Sequence, residues 1–118
     1  MNEKDLLQRT KSFALRVIKL VNALPNNTAG RTIGNQLIRS GTSVASNYRA
    51  ACRGRSKAEF IAKLGTVEEE ADESGLWMEL IIESGLMEEK LVAGLLKEAS
   101  EIMAIMASSK ISARANKQ

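Results

Sequence analysis

The stretch Gln36-Leu37-Ile38-Arg39-Ser40-Gly41-Thr42-Ser43-Val44-Ala45-Ser46-Asn47-Tyr48-Arg49-Ala50-Ala51-Cys52-Arg53-Gly54-Arg55-Ser56-Lys57-Ala58-Glu59-Phe60 reads as the second half of one helix, a short basic turn and the start of the next. Placed at about 100° per residue, Ile33, Leu37, Gly41, Val44, Tyr48 and Ala51 fall on one side, while Arg31, Asn35, Arg39, Thr42, Ser46, Arg49 and Arg53 share a polar stripe roughly 80° wide. One face packs; the other carries only positive charge.

Beside the packing face runs a row of small residues, Gly30, Gly34, Gly41, Ala45 and Cys52. A glycine inside a helix costs about 1 kcal/mol relative to alanine, so three of them need a compensating gain. Close approach of a neighbouring helix is the simplest one, and that helix belongs either to the same chain or to another subunit. At Ser56-Lys57-Ala58-Glu59 the residue types match a capping box, in which the Ser56 hydroxyl accepts from the Glu59 N–H and the Glu59 carboxylate reaches back to the Ser56 N–H. Gly54 supplies the helix end before it.

Working outward, the flanking segments repeat the same helical period. Leu6, Thr10, Phe13, Val17, Leu20 and Leu24 predict a first helix over about 4–24, ended by Pro25, and Asn27 or Thr28 caps a second over about 28–53. A third, over 57–84, carries the seam Phe60, Leu64, Val67, Ala71, Ser74, Met78 and Ile81 and ends at Gly85. The fourth, over about 88–108, carries Leu91, Leu95, Ala99, Ile102 and Met106, with Val92, Leu96 and Met103 beside them. Residues 1–109 thus form one all-α domain, an antiparallel up-down-up-down four-helix bundle, and 110–118 a basic, frayed tail.

The 118 residues include 44% hydrophobic and 26% charged side chains, a balance that fits a folded domain and neither a disordered nor a membrane-embedded chain. No continuous apolar run reaches the roughly 18 residues a bilayer span needs, and the opening Met1-Asn2-Glu3-Lys4-Asp5 is acidic where a signal peptide is basic. A cytoplasmic protein with no membrane role is expected. The single cysteine, Cys52, excludes an internal disulfide. Arg49, Arg53 and Arg55 nearby could activate its thiol, but the chain contains no histidine to act as base, so a small packed residue is the expectation.

Charge is distributed unevenly. Leu6 to Ala58 holds no acid and ten bases, Glu59 to Glu101 holds twelve acids against Lys63, Lys90 and Lys97, and the last stretch turns basic through Lys110, Arg114 and Lys117. The run Glu68-Glu69-Glu70-Ala71-Asp72-Glu73 invites a metal reading, but bundle metal sites pair Glu with His, and these carboxylates splay over the polar side. Neither a metal nor a cofactor is expected. No glycine-rich phosphate loop follows a strand and no nucleophile neighbours a suitable base, so an enzyme is not expected either.

The pattern from Gln36 through Asn47-Tyr48, Ala51, Gly54, Ser56 and Glu59-Phe60, followed by the Glu-rich third helix and Ser84-Gly85-Leu86, closely resembles the bacterial four-helix-bundle proteins, also called 23S ribosomal RNA intervening-sequence or S23 proteins. The resemblance spans nearly the whole chain. It implies a bundle without assigned catalysis, often assembled as a homopentameric ring. Relatives serving diversity-generating retroelements use a basic pentameric barrel to bind nucleic acid and a reverse transcriptase, although the Glu68–Glu73 run is less like that branch. The resemblance brings no functional residues with it.

Two functional expectations follow. In the first, the bundle is a homo-oligomer that binds RNA or DNA through Arg31, Arg39, Arg49, Arg53, Arg55 and Lys57, cations spaced to track a phosphate backbone. In the second it is an interaction scaffold for itself or another protein, with no nucleic-acid role. For subunit contact the candidates are Leu76, Trp77 and Leu80, clustered on the third helix away from its seam.

Overall fold

Asn2 begins the chain's first helix by closing a reciprocal cap: its side chain accepts from the Asp5 N–H at 2.9 Å, and the Asp5 carboxylate accepts from the Asn2 N–H at 3.3 Å. In the computed structural model, which describes residues 1–116, helix α1 (Glu3–Asn22) is followed by α2 (Thr28–Cys52), α3 (Lys57–Glu83) and α4 (Glu89–Ala115). Sequential helices pack side by side and α4 closes the ring on α1, giving the expected up-down-up-down bundle, 51 × 21 × 19 Å. Among the described residues no helix is long and apolar enough to cross a membrane.

Each connection is set by local chemistry. The Asn27 side chain accepts from the Gly30 N–H at 2.7 Å, and a Cβ at position 30 would lie 2.0 Å from the Pro25 carbonyl oxygen, so only glycine lets the chain enter α2 this tightly. Ser56 caps α3, its hydroxyl accepting from the Glu59 N–H at 3.1 Å. The return arm differs from the expected box: the Glu59 carboxylate accepts from the Arg55 N–H at 3.3 Å, one residue further back than Ser56. At the end of α3, Gly85 adopts φ 76°, while the Gly85 N–H donates to Ile82 and the Leu86 N–H to Ile81, both at 3.1 Å, completing a Schellman motif.

The largest departure from expectation is at the C-terminus. Helix α4 continues through Lys110 to Ala115, where the sequence suggested a frayed tail from 110. Lys110 pairs with Glu68 at 2.6 Å and the Lys57 ammonium donates to the Asn116 carbonyl, so the last turns lie along α3. Lys117 and Gln118, the remainder of that tail, lie outside the described residues.

The core follows the predicted seams closely, with Leu6, Phe13 and Val17 of α1, Leu37, Val44 and Tyr48 of α2, and Leu64, Val67, Met78 and Ile81 of α3 all buried. In α4 the buried row is Val92, Leu95, Ala99, Ile102 and Met106, whereas Leu91, expected on the seam, is 61% exposed. Steps of three and four from Ile102 lead back through Leu95 to Val92, and adjacent apolar residues at 91 and 92 left that phase open. Ser40 is fully buried as well, its hydroxyl hydrogen-bonded to that of Ser74 across the α2–α3 contact at 2.9 Å.

Ion pairs join α1 to α4 beside the shared apolar core. Arg9 forks onto both oxygens of Glu98, at 2.7 and 2.8 Å, and reaches Glu101 at 2.7 Å. The hydrogen bonds from Arg9 hold the Glu98 carboxyl below the usual carboxylate range.

Candidate nucleic-acid interface

Helix α2 turns its small side onto α1 and its arginines outward, but the six cations read from the sequence do not form one surface. Arg31 sits at the N-terminal end of α2, its guanidinium donating to the Asn26 side chain at 3.1 Å. Eighteen residues separate it from Arg49, about 27 Å along the helix axis. Arg39, midway, is committed to α3: it donates to Glu70 at 3.3 Å and to Glu73. Two carboxylates of its own chain therefore neutralise the centre of the stripe.

The C-terminal end of α2 is different. Arg49, Arg53 and Arg55 are exposed, and among the described residues none of them makes an ion pair. Part of their role is local, since cations in the last turn of a helix offset its negative dipole end. Lys57 follows directly, its ammonium oriented by the Asn116 carbonyl and, among the described residues, without an ion pair. These four residues share one end of the bundle with the start of α1 and the last turns of α4.

Two cations missed by the sequence reading face the same region. Lys4 and Lys11 of α1 line a groove with Arg49 and Arg53 of α2. Their spacing of seven residues is a signal of a shared face, but which neighbouring helix they flank is not a property of α1 alone.

Cys52 lies between this groove and the bundle end, half-buried. Burial pushes its thiol above the usual range, against the activation that nearby arginines suggested, and burial likewise raises the Tyr48 phenol. Its chemistry is that of a packing residue. Among the described residues no group of three Asp, Glu or Cys side chains converges to hold a metal ion.

The second candidate surface lies on α3. Leu76 and Leu80 are 48% and 38% exposed, and Trp77 between them is half-buried against the core of its own chain. The Trp77 indole N–H donates to Glu73 at 3.0 Å, so the carboxylate that receives Arg39 also satisfies the tryptophan. These two donors, the indole first, hold the Glu73 carboxyl below its ordinary value.

Compared with known proteins, the chain matches no curated protein. Among solved structures it is similar to a protein of unknown function from the S23 ribosomal protein family of Bacteroides thetaiotaomicron VPI-5482. The TM-score is 0.86 and the identity 29%, over 93% of this chain and 98% of that one. The family model for 23S rRNA-intervening sequence proteins matches residues 2–108, and the chain belongs to that family.

Proposed function

We propose that this bundle is a non-catalytic, self-associating cytoplasmic protein that binds the phosphate backbone of RNA through the basic end formed by Arg49, Arg53, Arg55 and Lys57. The observation that carries the reading is the contrast along α2 and the turn after it: Arg39 is neutralised by Glu70 and Glu73, while among the described residues the guanidinium groups of Arg49, Arg53 and Arg55 make no ion pair. Charges left unpaired in water release counterions when they meet phosphate. The family's name, which refers to intervening sequences of 23S rRNA, makes RNA the polyanion to try first. With one Trp, one Tyr and two Phe in the chain, and Tyr48 and Phe13 buried, base stacking has few platforms, so recognition falls on backbone and shape.

Fluorescence anisotropy with labelled RNA at two salt concentrations tests this. Changing Arg49, Arg53 and Arg55 together to alanine should weaken binding at least tenfold with helicity intact, while Arg39→Ala should change it less than threefold. Binding that ignores salt, or that is absent even at low salt, removes the reading.

A second reading, an assembly module without a nucleic-acid role, is supported by Leu76 and Leu80, exposed beside a cleft lined by Glu69, Asp72 and Glu79. Light scattering on wild type and a Leu76→Glu/Leu80→Glu variant separates it: loss of mass in the variant, together with no RNA binding by the wild type at low salt, favours assembly alone.

A further inference from the structure

The groove between α1 and α2 at the basic end has a volume of about 970 Å³; Lys4, Leu7 and Lys11 line it from α1, and Ala45, Arg49 and Arg53 from α2. Its one carboxylate, Asp5, is hydrogen-bonded into the α1 cap with Asn2. Cations therefore stand on both walls, and the apolar surface of Leu7, 37% exposed, lines the groove beside the α1 lysines.

We propose that this groove seats one unpaired RNA strand, with phosphates between the lysines of α1 and the arginines of α2 and with sugar and base faces against Leu7 and Ala45. The inference rests on the RNA reading above and narrows it from any polyanionic surface to a single strand. In a duplex the base faces are stacked inside and cannot touch an apolar lining. From Thr42 to Arg53 the α2 wall runs about 16 Å, long enough for several successive phosphates. A second copy offering its acidic α3 face, where Glu69, Asp72 and Glu79 make no ion pair among the described residues, is the competing occupant, and the mass measurement below tells the two apart.

The test is anisotropy with a labelled unstructured single-stranded RNA and the same RNA in a duplex, on wild type, Lys4→Ala/Lys11→Ala and Arg49→Ala/Arg53→Ala, with mass followed by light scattering. The lysines are exposed, so their removal should leave the circular dichroism unchanged. The expected result is tighter binding of the single strand, about tenfold weakening in each double variant, and a log–log salt slope shallower by about 1.4 for two lost phosphate contacts. Wild-type affinity in the lysine variant, with loss only in the arginine variant, overturns the groove and leaves the RNA reading standing. Equal or tighter duplex binding also overturns it, as does a change of subunit number in the lysine variant. No binding by any form at low salt removes both.

Discussion

Gly41 of α2 lies directly against Val17 of α1: a Cβ at position 41 would come within 2.7 Å of both Val17 methyl carbons and 3.0 Å of its Cβ. Rotating Val17 cannot clear the contact, because all three branch atoms are involved. Gly41→Ala should therefore destabilise the bundle by about 1–3 kcal/mol despite alanine's better helix propensity. Gly65, also within a helix, faces open space, with nothing within 4 Å of the point a Cβ would occupy, so Gly65→Ala should stabilise by about 0.5–1 kcal/mol. Urea unfolding of the two variants should move the midpoint in opposite directions.

Ser40 and Ser74 form a buried hydroxyl pair, and each also has a backbone carbonyl in reach, Leu37 at 3.3 Å and Glu70 at 2.8 Å. Either serine changed to alanine should cost about 1 kcal/mol. The double change should cost less than the sum, with a coupling of about 0.5–1 kcal/mol. An additive pair in a double-mutant cycle contradicts this account.

Glu73 has its carboxyl lowered by the Trp77 N–H and by Arg39. A group with a depressed folded value contributes stability above its unfolded value, about 4.3 for glutamate, and loses that contribution as pH falls through the folded value. Acidification through the lowered folded value of Glu73 should break the Trp77 hydrogen bond and change its fluorescence before global unfolding. Glu73→Gln should abolish that early step.

Arg9 and Glu98 are both mostly covered, with side-chain exposures of 23% and 17%. Arg9→Ala leaves Glu98 partly buried without its partner and should cost about 2 kcal/mol, between exposed and buried ion pairs. Glu98, like Glu73, has a depressed carboxyl, so the deficit should shrink as pH falls through the folded Glu98 value and the wild-type pair is itself lost. Thermal melts of both proteins from pH 7 to 3 check it.

The seams of α1, α2 and α3 were legible because a 3.6-residue period is a property of neighbours in the chain. The phase of α4 was less so, since Leu91 and Val92 both satisfy an apolar rule and only packing against three other helices buries Val92. The last turns of α4 escaped for a related reason. Lys110 to Ala115 carries little periodicity of its own and is held by Glu68 and Lys57, contacts far away in sequence.

From the sequence alone came the four helices, the helix ends at Asn27, Ser56 and Gly85, the small face of α2 and the segregation of charge, all fixed by interactions spanning a few residues. Which arginines remain open was decided by tertiary register. With Ser40 opposite Ser74, Arg39 meets Glu70 and Glu73, while residues 49–53 run beside about 61–65, within Phe60-Ile61-Ala62-Lys63-Leu64-Gly65-Thr66-Val67, where α3 has no carboxylate. Whether a cation is neutralised depends on what an antiparallel neighbour carries at the same height, and only the packed bundle sets that.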